Sequence, residues 1–184
     1  MQIILPMSEI VIEKYGIILR TVEEEDAEFI VGIRTSERLG KYISPTSADV
    51  EQQKAWIRAY KLREKNETEY YFICVDHDGN RYGTYRIYNI LPGSFVCGSW
   101  VFHETAPNDY AIKTEILSKE FAFEKTKAPF FYGENRKDNK KVNRYNLSYH
   151  PELIGSDEHC YYYKFTRENF EKVSAKLLTL LNSR

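Results

Sequence analysis

Residues 69–102 read EYYFICVDHDGNRYGTYRIYNILPGSFVCGSWVF, and the punctuation of this stretch decides the fold. Glu69 to Val75 is an apolar, aromatic run that stops at Asp76-His77-Asp78-Gly79. Asp and Gly tolerate the positive φ that a tight reversal needs, so these four residues predict a hairpin turn. Arg81 to Ile90 returns as the partner strand, Leu91-Pro92-Gly93-Ser94 makes a second turn, and Phe95 to Phe102 is a third strand. Three consecutive strands joined by short turns form an antiparallel meander.

Upstream, Gly16-Ile17-Ile18-Leu19-Arg20 reads as a strand and meets Thr21-Val22-Glu23-Glu24. A Thr followed three residues later by Glu predicts a capping box, in which hydroxyl and carboxylate satisfy free amides at a helix start. The helix that follows places Ala27, Ile30, Val31 and Ile33 on its buried side. A second helix is expected from about Asp49 to Glu64, with Val50, Ala55, Trp56, Ile57 and Tyr60 at helical spacing.

Downstream, Tyr110 to Lys125 is again helical, Ala128 to Gly133 a short strand, and Asp138 to about Ser148 a short helix. Pro151 interrupts, with room for one more short strand near Leu153. His159 to Phe165 is a tyrosine-rich strand, and Thr166 caps a closing amphipathic helix bearing Phe170, Val173, Leu177, Leu178 and Leu181. The order is β-α-α-β-β-β-α-β-α-β-α. A strand–helix–strand step in the middle implies a parallel crossover within an otherwise antiparallel sheet. The fold class is α+β, a central mixed, mostly antiparallel sheet with helices on both faces.

With 184 residues, 42% of them apolar and 29% charged, and no repeat or low-complexity linker, one domain over 1–184 is expected. The net charge is −1, and the longest basic stretch is the short Arg136–Lys141, which argues against a nucleic-acid partner. Cys74, Cys97 and Cys160 stand singly in apolar or aromatic surroundings, without a CxxC pair. They read as small core residues rather than as a disulfide framework or a zinc site. His77, His150 and His159 lack metal-ligand spacing, so no metal is expected. Met1–Pro6 is too short, and too soon followed by charge, for a signal peptide. No apolar run approaches a membrane span, so a cytoplasmic location without membrane contact is expected. The 15 tyrosines either line a wet cleft or simply fill strands, where aromatics fit well.

The element order resembles the GCN5-related N-acetyltransferase (GNAT) fold, and several phrases carry the likeness. Ile18-Leu19-Arg20-Thr21-Val22-Glu23-Glu24-Glu25-Asp26-Ala27 is similar to the opening of the branch that includes ribosomal-protein N-terminal acetyltransferases. Asp78-Gly79-Asn80-Arg81-Tyr82-Gly83 looks like its hairpin, and Gly98-Ser99-Trp100-Val101-Phe102 stands where the family has its splayed central strand. Asn139 to Tyr145 resembles the helix whose first Asn marks the family. The resemblance spans roughly Gly16 to Phe170.

It implies an enzyme that transfers an acetyl group from acetyl-CoA, as co-substrate, to a primary amine without a covalent enzyme intermediate. The chain offers no nucleophile–base pair such as Cys–His, which agrees with direct attack. The implied CoA-binding residues begin with Trp100, Val101 and Phe102, whose strand edge pairs with the pantetheine arm. A backbone amide there meets the thioester oxygen. Next come Ala111, Ile112, Lys113 and Thr114, at the start of the long central helix, where outward amides and the helix dipole suit a pyrophosphate. The family's glycines are missing from that loop. Asp109 stands where a Gly is usual and repels phosphate unless it turns back to cap the helix. Asn139 stands where the family contacts pantetheine, a role compatible with a helix N-cap. Tyr145 is the implied acid for the departing thiolate, with Tyr149 beyond it, and either also reads as a half-buried structural tyrosine. His103 and Glu104 read as loop residues.

The acceptor stays open between a small-molecule amine and a protein N-terminus, and a monomer or homodimer is expected. Two rivals stand beside this. One is an amino-sugar-nucleotide N-acetyltransferase, with some of Tyr85, Arg86, Tyr88 and Asn89 lining its pocket, since alternate strand positions face opposite ways. The other is a non-catalytic GNAT-fold module that binds an acyl-CoA or a partner.

Overall fold

The structure of the protein, a computed structural model, describes residues 10–183; the reading of Met1–Pro6 lies outside them. Among the described residues, eight strands form one sheet: β1 (Val11–Lys14), β2 (Ile17–Thr21), β3 (Tyr70–Val75), β4 (Arg81–Leu91), β5 (Ser94–Phe102), β6 (Phe130–Arg136), β7 (Glu152–Ser156) and β8 (Cys160–Thr166). Five helices accompany them: α1 (Ala27–Thr35), α2 (Val50–Lys65), α3 (Tyr110–Thr126), α4 (Lys140–Leu147) and α5 (Arg167–Asn182). The strand order is β1-β2-β3-β4-β5-β6-β8-β7, antiparallel throughout except for β5 against β6. The expected α+β architecture, with its meander and parallel crossover, is present.

β3 lies inside the sheet, between β2 and β4, and every residue in it is buried. Its alternation divides the core in two. Tyr70, Phe72 and Cys74 face the side covered by α3 and α5, with Ile116, Phe123, Phe131 and Phe170. Tyr71, Ile73 and Val75 face Ile30 of α1 and Ile57 and Tyr60 of α2. Fully burying one such aliphatic side chain contributes about 1.5–3 kcal/mol, so each face anchors its own helices. All three cysteines are buried.

Four local expectations are corrected. A strand, β1, precedes the first one expected, joined to it by the Tyr15-Gly16 turn, in which both residues have positive φ. Thr21 ends β2 and does not cap a helix: its hydroxyl points to Glu64, at 3.3 Å. The reciprocal box falls two residues later, between Glu23 and Asp26. Ala55 is exposed on α2 rather than buried. β6 starts after Pro129 instead of at Ala128 and runs on to Arg136, because all seven of its residues pair with β8.

Candidate active site

β5 and β6 pair only at Val96↔Tyr132 and Cys97↔Gly133. Beyond those pairs the strands part: β5 follows β4 as far as Phe102, and β6 follows β8 as far as Arg136. The β5 edge from Gly98 to Phe102 therefore borders a wedge, with backbone groups that no β6 residue bridges. A β-bulge occurs in the same place. Arg86 pairs with Gly98 and Thr84 with Val101, so β5 has one residue more than β4 over this span. Ser99 absorbs it with φ 51°, a left-handed conformation that costs a non-glycine residue on the order of 1 kcal/mol or more. The Thr84 hydroxyl donates to the Ser99 carbonyl at 3.0 Å and holds the bulge in place.

α3 starts at one end of this wedge. The Trp100 indole donates to the Ala111 carbonyl at 3.1 Å, tying β5 to the first turn of α3. Asp109 precedes the helix without capping it; its carboxylate pairs with Lys113 Nζ at 2.5 Å instead. The amides that open a helix have no intrahelical partner. With no side-chain cap on α3, those of Ala111 and Ile112 suit an anion. Asp109, neutralised by Lys113, opposes one less than its charge implies.

Tyr145, on α4, packs its ring against Trp100 with centroids 5.3 Å apart. Its hydroxyl lies 3.0 Å from Glu115 Oε2 and 2.8 Å from the Tyr149 hydroxyl. Glu115 is buried and forms an ion pair with Lys119 one turn along α3. Burial, then the charge of Glu115 and the neighbouring Tyr149, raise the Tyr145 phenol well above its ordinary value of 10.0. It stays protonated through the neutral range. Burial likewise pushes the Cys97 thiol up to about 12, so it is no nucleophile.

On the opposite face of the sheet a cleft of ≈ 310 Å³ opens beside Ser99, between α2, the segment before it, and β3–β5. Arg34, Trp56, Tyr71 and Arg86 line it. Arg86 is held by Glu69 at 2.6 Å and sits over the rings of Trp56, at 5.1 Å, and Tyr88, at 4.7 Å. Arg34 reaches from α1 to Thr46, to the Ser44 carbonyl and to Ser99 Oγ, fastening the α1–α2 connection to the bulge. Cleft and wedge thus meet at one backbone irregularity.

A family model described as an acetyltransferase (GNAT) domain matches residues 17–145. The chain belongs to the GNAT acetyltransferase family. Among solved structures, this GNAT enzyme is similar to apo FdhC, a nucleotide-linked sugar GNAT: 33% identity, TM-score 0.80, 91% of this chain and 96% of that one. It also resembles ribosomal-protein-S5-alanine acetyltransferase from Vibrio fischeri, at 14% identity and TM-score 0.71, over 88% and 98% of the two chains. A third likeness is spermidine N-acetyltransferase from Vibrio cholerae, in complex with CoA and spermine, at 13% identity and TM-score 0.71, over 86% and 99%. The last two show the shared fold alone. A search of the curated proteins finds no match.

The residues expected to form the site of this acetyltransferase are distributed unevenly around the wedge. Trp100, Val101 and Phe102 end β5, with Val101 buried toward Thr84 and Phe102 packed over Gly83. Ala111 and Ile112 open α3 and are partly exposed, whereas Thr114 is fully buried and set into the core. Asn139 caps α4, accepting from the Val142 amide at 3.3 Å. His103 bonds Thr105 locally, and exposed Glu104 pairs with Arg38. Of the four positions on β4, Arg86 lines the cleft and Tyr88 stacks on it, while Tyr85 is buried on the other face.

Ser99, Glu115, Lys119 and Arg34 escaped the sequence reading. A Gly-Ser pair inside a strand is a signal for a bulge, and Glu115 and Lys119 stand at i, i+4. Nothing in the sequence marks Arg34. Among the described residues there is no cluster of three or more potential metal ligands, and no helix long and apolar enough to cross a membrane.

Proposed function

We propose that this acetyltransferase carries acetyl-CoA in the wedge and acetylates the primary amine of an amino sugar attached to a nucleotide. The observation that carries the acceptor reading is the cleft at Ser99, where Arg86 lies over Trp56 and Tyr88. Two guanidinium groups beside the half-buried Trp56 and Tyr88 rings suit a ligand that is both anionic and flat. They disfavour a polyamine, whose charges have the same sign, although Glu69 offsets Arg86 and Asp49 also lines the cleft. The likeness to FdhC, a nucleotide-linked sugar GNAT, supports the same reading. A protein N-terminus is the second reading; in the cleft lining it has the Asp49 carboxylate for its ammonium group.

In this account the pyrophosphate of CoA meets the first-turn amides of α3, and the pantetheine arm lies along Gly98–Phe102 like an added strand. The amine approaches from the cleft and its nitrogen lone pair attacks the acetyl carbonyl carbon. A backbone amide at the bulge takes the developing oxyanion. As the C–N bond forms and the C–S bond breaks, the ammonium loses a proton to water and the thiolate takes one from Tyr145. That phenol is then reprotonated from solvent. Asn139 contacts the pantetheine arm while it caps α4.

The test is a comparison of thiol release from acetyl-CoA with three acceptors: a nucleoside-diphosphate-linked amino sugar, spermidine and an N-terminally free peptide. The account expects the first to have the highest kcat/KM, and Trp56→Ala to raise its KM about tenfold or more, by removing a stacking surface. Faster turnover of the peptide or of spermidine would refute the acceptor assignment.

A further inference from the structure

We propose that Tyr149 and the Glu115–Lys119 ion pair are positioning residues that aim the Tyr145 proton at the wedge. The inference rests on the reading of Tyr145 as the donor to the thiolate. Three oxygens form a triangle: Tyr145 to Tyr149 at 2.8 Å, Tyr145 to Glu115 Oε2 at 3.0 Å, and Tyr149 to the same Oε2 at 3.4 Å. The carboxylate only accepts, so two hydroxyl protons serve three contacts. In one arrangement Tyr149 donates to Tyr145 and Tyr145 to Glu115. In the other Tyr149 donates to Glu115, which frees the Tyr145 proton for a sulfur in the wedge. Rotating two O–H bonds interconverts them without moving a heavy atom. Once the proton has left, Tyr149 can turn back and donate to the new phenolate until water reprotonates it.

Lys119 explains how a carboxylate is tolerated there. Its ammonium is buried with Glu115 and faces the rings of Phe131 at 4.3 Å, Tyr149 at 5.4 Å, and Phe165 and Phe170 at 5.7 Å each. Buried ion pairs add little net stability, so the pair is better understood by what it holds in place. It fixes Glu115 and cancels the charge that a phenolate at Tyr145 otherwise meets. The other ionisable groups facing Tyr145 and this pair are Tyr149 itself, Tyr85 from β4 and Cys97 from β5. All are neutral in the physiological range, since burial raises each of them.

The experiment measures kcat, KM and the pH profile of kcat for the full chain with acetyl-CoA and a nucleoside-diphosphate-linked amino sugar. Tyr145→Phe, Tyr149→Phe and the double variant Glu115→Gln/Lys119→Met are compared with the wild type. Tyr149→Phe is expected to lower kcat about tenfold, a part of the general-acid contribution, while leaving KM for acetyl-CoA unchanged. The double variant removes both charges, which avoids a lone buried ammonium. Because the pair is neutral as a whole, the double variant is expected to act through the lost carboxylate acceptor, lowering kcat while leaving KM for acetyl-CoA unchanged. Should the double variant fail to fold, Tyr149→Phe alone decides. If Tyr145→Phe is impaired while Tyr149→Phe retains wild-type kcat, the positioning role is overturned and the donor reading stands. If Tyr145→Phe retains full kcat, the donor reading falls and this inference with it.

Discussion

Asp26 is completely buried, and its carboxylate meets two guanidinium groups. Arg20 reaches both oxygens at 2.7 Å and Arg81 reaches Oδ1 at 2.6 Å, while the Glu23 amide donates to Oδ2 at 2.8 Å. Burial by itself raises its pKa, but the two arginines and the amide outweigh it and hold the group below 3.8. A carboxylate depressed on folding contributes stability that is fully present above its unfolded value and lost as pH falls through the folded one. Urea unfolding should therefore show stability declining as pH drops from about 4 downward. Asp26→Asn should lack that component of the decline and cost about 1–3 kcal/mol at neutral pH, because a buried carboxylate that accepts from two guanidinium groups and an amide is replaced. An unchanged acid limb in the variant would contradict this. At this scale the sequence was partly legible. Tyr145 was singled out through the family resemblance, by its place on the helix opened by Asn139, and position along a helix is encoded locally. Glu115 and Ser99 could not be found, because their roles depend on which surfaces α3 and a bulged strand turn toward their neighbours.

The bulged strand β5 is the element on which the site depends. Gly83 of β4 lies under Phe102 at its end, and a Cβ there would stand 2.3 Å from that ring's Cγ. Gly83→Ala should displace the ring and cost about 1–3 kcal/mol. Because Phe102 borders the wedge, it should also raise KM for acetyl-CoA more than KM for the acceptor. Steady-state kinetics alongside urea melts check both. α2 provides a simpler case: Asp49 accepts from the Glu51 amide at 2.9 Å and from the Gln52 amide at 3.2 Å. Asp49→Ala should cost about 1 kcal/mol by urea denaturation. The meander and the helices were readable because turn chemistry and hydrophobic period are local signals. β1 was not, as four mostly exposed residues paired only to β2 lack the alternation that marks a half-buried strand. The true box at Glu23 and Asp26 was masked by Thr21, which has the right side chain for a cap but lies inside β2.

At the scale of the whole molecule, one irregularity joins two chemistries. The bulge at Ser99 borders the wedge on its strand edge and the arginine-lined cleft on its face. The order of elements gave the GNAT resemblance early, since each step in it is set by residues close in sequence. The wedge came only through that resemblance and not from local signals, because it depends on long-range pairing, with β6 committed to β8 over seven residues and to β5 over two. The glycine-poor α3 start was the weakest point of the resemblance, and the Asp109–Lys113 pair supplies a physical reason for it to accept an anion. The measurement that bears most directly on the central claim is calorimetric titration of the protein with acetyl-CoA, repeated with CoA lacking its 3′-phosphate and with Ala111→Glu. The account predicts micromolar binding by the wild type, weakened about tenfold or more when a carboxylate is placed at the first turn of α3. The absence of binding at millimolar acetyl-CoA, or equal affinity in Ala111→Glu, would contradict it.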